Sequence, residues 1–169
     1  EKPMATKTLE DLFTDGVKDI YYAERKIIAA LKKMIRGAQS EDLKAAFDTH
    51  LQETEGQVER LVQVFELLGK PARGKTCPAI DGIIEEGQEI LEEFKGSSAI
   101  DAGLLAAAQA VEHYEIARYG TLKSWALQLG KNDVAKLLDQ TLQEETKTDE
   151  TLTQLAETKV NVKGQSKAA

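Results

Sequence analysis

The stretch Ile20-Tyr21-Tyr22-Ala23-Glu24-Arg25-Lys26-Ile27-Ile28-Ala29-Ala30-Leu31 sets an acidic residue inside an apolar helical stripe. Glu24 follows Ile20 by four and precedes Ile27 by three and Leu31 by seven, spacings that share one helix face. Burying a lone carboxylate costs roughly several kcal/mol, so Glu24 must be neutralised, paired or metal-bound.

The helical period extends outward from this stretch over residues 8–38, with Leu9, Leu12 or Phe13, Val17, Ile20, Ile27, Leu31 and Met34 on the apolar face and Gly37 as its stop. Ser40 is the N-cap candidate of a second helix, which carries Phe47, Leu51, Val58, Leu61, Phe65 and Leu68 and ends at Gly69 before Pro71. A connection over about 70–99 holds a shorter helix, 78–94, with Ile80, Ile83, Ile84, Ile90 and Leu91, closed by Gly96-Ser97-Ser98. A third long helix spans 101–129 and stops at Gly130. A fourth, capped by Asn132 or Asp133, runs to about 159, and the polar tail 160–169 is expected to fray.

Tight turns make helices one and two antiparallel, and likewise three and four, while the long connection crosses the bundle. The expected fold is all-α: one ferritin-like antiparallel four-helix bundle with a long crossover containing a short fifth helix, in a single domain of 1–169 with its core over about 6–159.

Composition agrees. The 169 residues are 41% hydrophobic and 30% charged, with only three prolines. A formal charge of −7 argues against binding nucleic acid or an anionic membrane surface. No apolar run reaches the roughly 18 residues that span a bilayer, and residues 1–10 lack the apolar centre of a signal peptide. A cytoplasmic location is expected. The single cysteine, Cys77, lies in a loop with no second Cys or His nearby.

An internal repeat appears when the chain is shifted by 91 residues. Eleven of the 45 positions from 20 to 64 are identical to their shifted partners, against about three or four expected by chance. Glu24 falls on Glu115, and Leu51-Gln52-Glu53 on Leu142-Gln143-Glu144. Glu24 to Glu53 and Glu115 to Glu144 are both 29 residues. The repeat implies two helical hairpins about a pseudo-two-fold axis, so each long helix brings a carboxylate to one level, as a pair of divalent ions requires.

Glu115 sits among Ala108, Val111, Tyr119 and Leu122, with Glu112 one turn earlier. His50 and Glu53 share a face at i, i+3. On the fourth helix the repeat selects Glu144, whereas Glu145 lines up with Val134, Leu138, Thr141 and Leu152. The candidate metal ligands are Glu24, His50, Glu53, Glu112, Glu115 and Glu144. The competing reading pairs Glu24 and Glu115 with Arg25, Lys26 or Arg118 turned inward, and leaves Glu53 and Glu144 on solvated faces. His113 points about 100° away from Glu112, toward a structural or interface role. Tyr119 could hydrogen-bond a carboxylate.

The segments Thr8-Leu9-Glu10-Asp11-Leu12-Phe13, Tyr21-Tyr22-Ala23-Glu24, His50-Leu51-Gln52-Glu53-Thr54 and Glu112-His113-Tyr114-Glu115 resemble the YciE/YciF-type ferritin-like stress proteins of bacteria, over about 6–159. The resemblance implies a rubrerythrin-related fold, a role in stress responses, homodimers and no settled activity. It casts Glu24 as a first-helix terminal ligand, Glu53 and Glu144 as bridging carboxylates, and Glu112 with Glu115 as paired third-helix glutamates. The implied cofactor is two divalent ions, iron first, with manganese or zinc as alternatives. The ferritin-like Glu-x-x-His pattern is missing, since Gly56 follows Glu53 and Lys147 follows Glu144 at i+3, leaving His50 as the substitute nitrogen. Without a Cys-x-x-Cys pair, any redox chemistry would need an external electron donor. A different reading is a metal-free helical homodimer that binds a partner under stress.

Overall fold

A computed structural model describes residues 6–166. Expectations for residues 1–5 and 167–169 lie outside the described residues. Five main helices follow one another: α1 (Leu9–Gly37), α2 (Glu41–Leu68), α3 (Pro78–Glu93), α4 (Ile100–Gln128) and α5 (Asn132–Leu155), the last continuing through a π-helical turn (Ala156–Val160) into a short α6 (Asn161–Gly164). Helix α1 packs on α2 and α4, α5 packs on α4 and α2, and α3 lies against α4 and α1. The four long helices therefore close a ring, and the crossover helix covers one side of it. Cross-contacts run antiparallel: an added Cβ at Gly16 would meet Leu122 and one at Gly37 would meet Leu104, while Arg60 meets Thr141 and Glu53 meets Thr148.

The helix starts follow local chemistry. Thr8 and Asp11 form a reciprocal capping box on α1. Ser40 Oγ accepts from Leu43 N at 3.3 Å. The buried Asp101 carboxylate accepts from Gln39 N at 2.7 Å and Ser40 N at 2.9 Å, tying the α1–α2 turn to the start of α4. Gly69 and Gly130 take φ of 66° and 73°, the left-handed geometry that ends α2 and reverses the chain after α4.

The structure decides several local expectations and corrects two of them, the α5 cap and the tail. Phe13, fully buried, is the core residue, whereas Leu12 is 52% exposed. Helix α1 ends at Gly37 as expected, and a Cβ there would clash with Leu91 Cδ2, so the glycine also serves packing against α3. Asn132 is the first residue of α5, not its cap, and no side chain caps that end. The tail does not fray at 160, because Val160 is buried and Gly164 sits against Ala99 and Ala102.

The core runs the length of the bundle through Phe13, Phe47, Phe65, Ile20, Leu61 and Leu104, all buried. Each such side chain contributes about 1.5–3 kcal/mol. Cys77 is buried at the start of α3, its Sγ 3.1 Å from Tyr114 Oη. This apolar frame fixes the acidic residues at mid-bundle.

Candidate metal centre

Glu24 holds its place on the buried stripe of α1 between Ile20 and Ile27, fully enclosed. Helix α4 turns Glu112 and Glu115 inward one turn apart, because Ala108, Val111, Tyr119 and Leu122 bury the same side. Helix α2 contributes His50 on a buried stripe with Thr54, Gln57 and Leu61. Helix α5 contributes Glu145, on the stripe of Val134, Leu138, Thr141 and Leu152. All five side chains are 0–2% exposed.

One ligand atom each from His50, Glu112, Glu115 and Glu145 lies within 4.8 Å of the others. His50 Nε2 is 2.6 Å from Glu112 Oε1 and 3.8 Å from Glu145 Oε2. Neither member of the 2.6 Å contact has the directionality of a hydrogen bond. Both carboxylate oxygens of Glu112, Glu115 and Glu145, both His50 nitrogens and one Glu24 oxygen lack a hydrogen-bond partner. Buried donors and acceptors are ordinarily satisfied. So many converging, unsatisfied oxygens and nitrogens form a group that could hold a metal ion. Glu24 completes the group. Its Oε1 accepts from Tyr119 Oη at 2.8 Å, which fixes the carboxylate's rotation.

Electrostatics agree. Burial pushes Glu24 up to about 8. Burial also raises Glu112 and Glu115 well above the ordinary carboxylate value, with neighbouring acids adding to it. Burial lowers His50 and favours its neutral form, the form that ligates metals. Among the described residues no basic side chain turns inward to neutralise the cluster: Arg25 lies over Tyr21, Lys26 over Tyr22 and Arg118 over Tyr114, all three bases exposed. That removes the inward ion pair weighed for Glu24 and Glu115.

Two sequence-derived positions fall outside the group. Glu53 is only half-buried on the α2–α5 seam, its Oε2 accepting from Thr148 Oγ1 at 3.0 Å. Glu144 is also on the seam, held by the Arg60 guanidinium at 2.7 Å and 3.3 Å. Glu145 takes the interior place given to Glu144. The repeat itself is faithful, since Glu53 and Glu144 occupy matching outer positions. The inner match, 91 residues apart, is Thr54 with Glu145. Thr54 spends its hydroxyl on the His50 carbonyl at 2.7 Å, so the acidic group is lopsided about the pseudo-two-fold. The signal for Glu145 was the apolar periodicity of α5. Exposed His113 lies 3.2 Å from Asp149, in line with a structural role.

The profile of a family described as a domain of unknown function, DUF892, matches residues 8–164. Protein YciF of Escherichia coli K12 is 47% identical over 166 residues, covering 98% of this chain and all of the relative. The crystal structure of the E. coli stress protein YciF superposes with a TM-score of 0.87 at 47% identity, over 92% of this chain and 99% of that one. A Rhodopseudomonas palustris protein, YcfI, described provisionally as structural, gives 0.86 at 47% identity over 90% and 98%. A Xanthomonas campestris protein at 21% identity and TM-score 0.72 shares the fold, over 92% and 94%.

Proposed function

The chain belongs to the DUF892 family and is a homologue of the stress protein YciF, and on that premise we propose that its buried acidic group is a dinuclear metal centre. The observation that carries this is the enclosure of four carboxylates and one imidazole with nearly all their polar atoms unpartnered. The donor set fits. Four ionised carboxylates carry a charge of −4, which two divalent ions cancel and one does not. His50, Glu112, Glu115 and Glu145 would hold the ions together with Glu24, whose position Tyr119 sets. Oxygen-rich donors with a single imidazole suit iron or manganese, and admit zinc.

Bound redox-active ions would bring the activation of dioxygen or peroxide to this site. The protein excludes bulk water, keeps His50 neutral and holds a phenolic proton at Tyr119 against Glu24. With one buried cysteine, electrons would come from an external donor. Residue by residue, the support favours Glu24, His50, Glu112, Glu115 and Glu145, with Glu53 and Glu144 at the periphery. No helix among the described residues is long and apolar enough to cross a membrane.

Metal content per chain tests the reading. Protein purified without chelators and loaded anaerobically with ferrous iron is expected to hold two ions. Glu112→Ala with Glu145→Ala is expected to hold none, and Glu144→Gln to keep both. Absence of bound metal in the loaded wild type ends the proposal. A metal-free structural bundle is the second reading, favoured by the description of the R. palustris relative and by neutral acids able to hydrogen-bond one another, Glu24 to Glu115 and Glu112 to Glu145.

A further inference from the structure

The α2–α5 seam contains a cavity of about 190 Å³ that reaches from solvent to His50, with Thr49, Glu53, Lys147, Thr148 and Leu152 among its walls. His50 is 2% exposed and neither ring nitrogen has a hydrogen-bond partner. Its ring is the partition between this cavity and the acidic group, since Nε2 faces Glu112 and Glu145. Glu53 sits one turn after His50, on the solvent side of it. Thr148 donates to Glu53 Oε2 and pins the carboxylate to the opposite wall. Lys147 is exposed beside it.

Further along the same seam the bundle is closed. Arg60 bonds Thr141 Oγ1 at 2.7 Å and both oxygens of Glu144, and the Gln57 amide donates to Glu144 at 3.3 Å. Solvent thus reaches the interior on the Glu53 side of that closure. A single water needs a cavity of roughly 10–15 Å³, so one of about 190 Å³ admits a divalent ion with its inner hydration.

We propose that this cavity is the way in for divalent cations, with Glu53 as a transfer ligand that receives the ion, helps strip its water and passes it to His50. The inference rests on the metal-centre reading. It explains why an acidic residue stands on a half-buried seam without joining the interior group. Lys147 opposes it: its ammonium weakens the field that draws a cation to Glu53, and removing that charge speeds uptake.

The test follows the visible absorption of cobalt(II) as it enters the metal-free protein in a stopped-flow instrument. Wild type, Glu53→Gln, Lys147→Gln and Thr148→Trp are compared at equal ionic strength, with circular dichroism confirming the fold. Expected are a fall of about tenfold in the uptake rate for E53Q and a rise for K147Q, in the range of charge effects on association. T148W narrows the opening and slows uptake with the Glu53 carboxylate still present, though freed from its Thr148 anchor. Final cobalt per chain stays at the wild-type value in all four. Unchanged rates in E53Q and K147Q overturn the route while leaving the metal centre standing. Loss of stoichiometry in E53Q makes Glu53 a resident ligand and overturns its transfer role. No uptake by the wild type ends both readings.

Discussion

Raising the pH on chelator-treated protein perturbs the acidic group most directly. Burial lifts Glu24 from its ordinary 4.5 to about 8. Between those values the folded chain keeps a proton that the unfolded chain has released. Stability from this group is therefore complete below pH 4.5 and is lost as the pH climbs toward 8. At pH 7 the loss amounts to roughly 3 kcal/mol, at about 1.4 kcal/mol per pH unit. Glu112 and Glu115 act in the same direction. His50 acts in the opposite one: its lowered value makes the folded chain refuse a proton below pH 6.5, so its contribution is lost as pH falls. Above pH 6.5 the carboxylates alone set the slope. For a chain of this size a drop of roughly 5–10 °C in Tm is expected between pH 5 and pH 7, continuing to pH 8. Melting curves by circular dichroism with EDTA at constant ionic strength read it. Glu24→Gln cannot ionise and should flatten the slope. A wild-type Tm that is level or rising from pH 6.5 to 8, or a slope identical in Glu24→Gln, refutes the buried-acid argument. With metal present the trend reverses, because ligands must shed protons to bind and binding tightens with pH.

Tyr119→Phe removes the donor to Glu24 and should shift half-saturation with metal to higher pH while the helical content stays constant, as read by titration with cobalt(II). Asp101→Asn leaves the α1–α2 turn with one good acceptor in place of two and should cost about 1–2 kcal/mol in urea unfolding, without altering metal content. Phe47→Ala opens a cavity in the core and should cost about 3–5 kcal/mol in the same assay. A homodimer is expected from the family resemblance, and sedimentation velocity of the purified chain decides between dimer and monomer.

The long helices and their antiparallel order could be read from the sequence because apolar spacing, glycine stops and loop lengths are local properties of a helix. Glu24 and Glu115 could be placed inside for the same reason: each stands between apolar residues that have nowhere else to go. The same periodicity pointed to Glu145, but the repeat pointed to Glu144, and neighbouring residues on a helix differ in direction by only about 100°. Which of them faces inward depends on the arc of α5 that α4 and α2 cover, and sequence does not state that arc. Glu53 stands outside the interior group for the same reason, because the buried stripe of α2 passes through His50, Thr54 and Gln57, leaving Glu53 on the seam. Arg60 likewise finds Glu144 only once α2 and α5 are adjacent. The sequence alone determined a helical bundle with carboxylates that had to be neutralised inside it. The tertiary structure decided which acids converge, that no basic side chain among the described residues reaches them, and which acid stands instead at an opening to solvent, because those are relations between helices set by packing across the bundle.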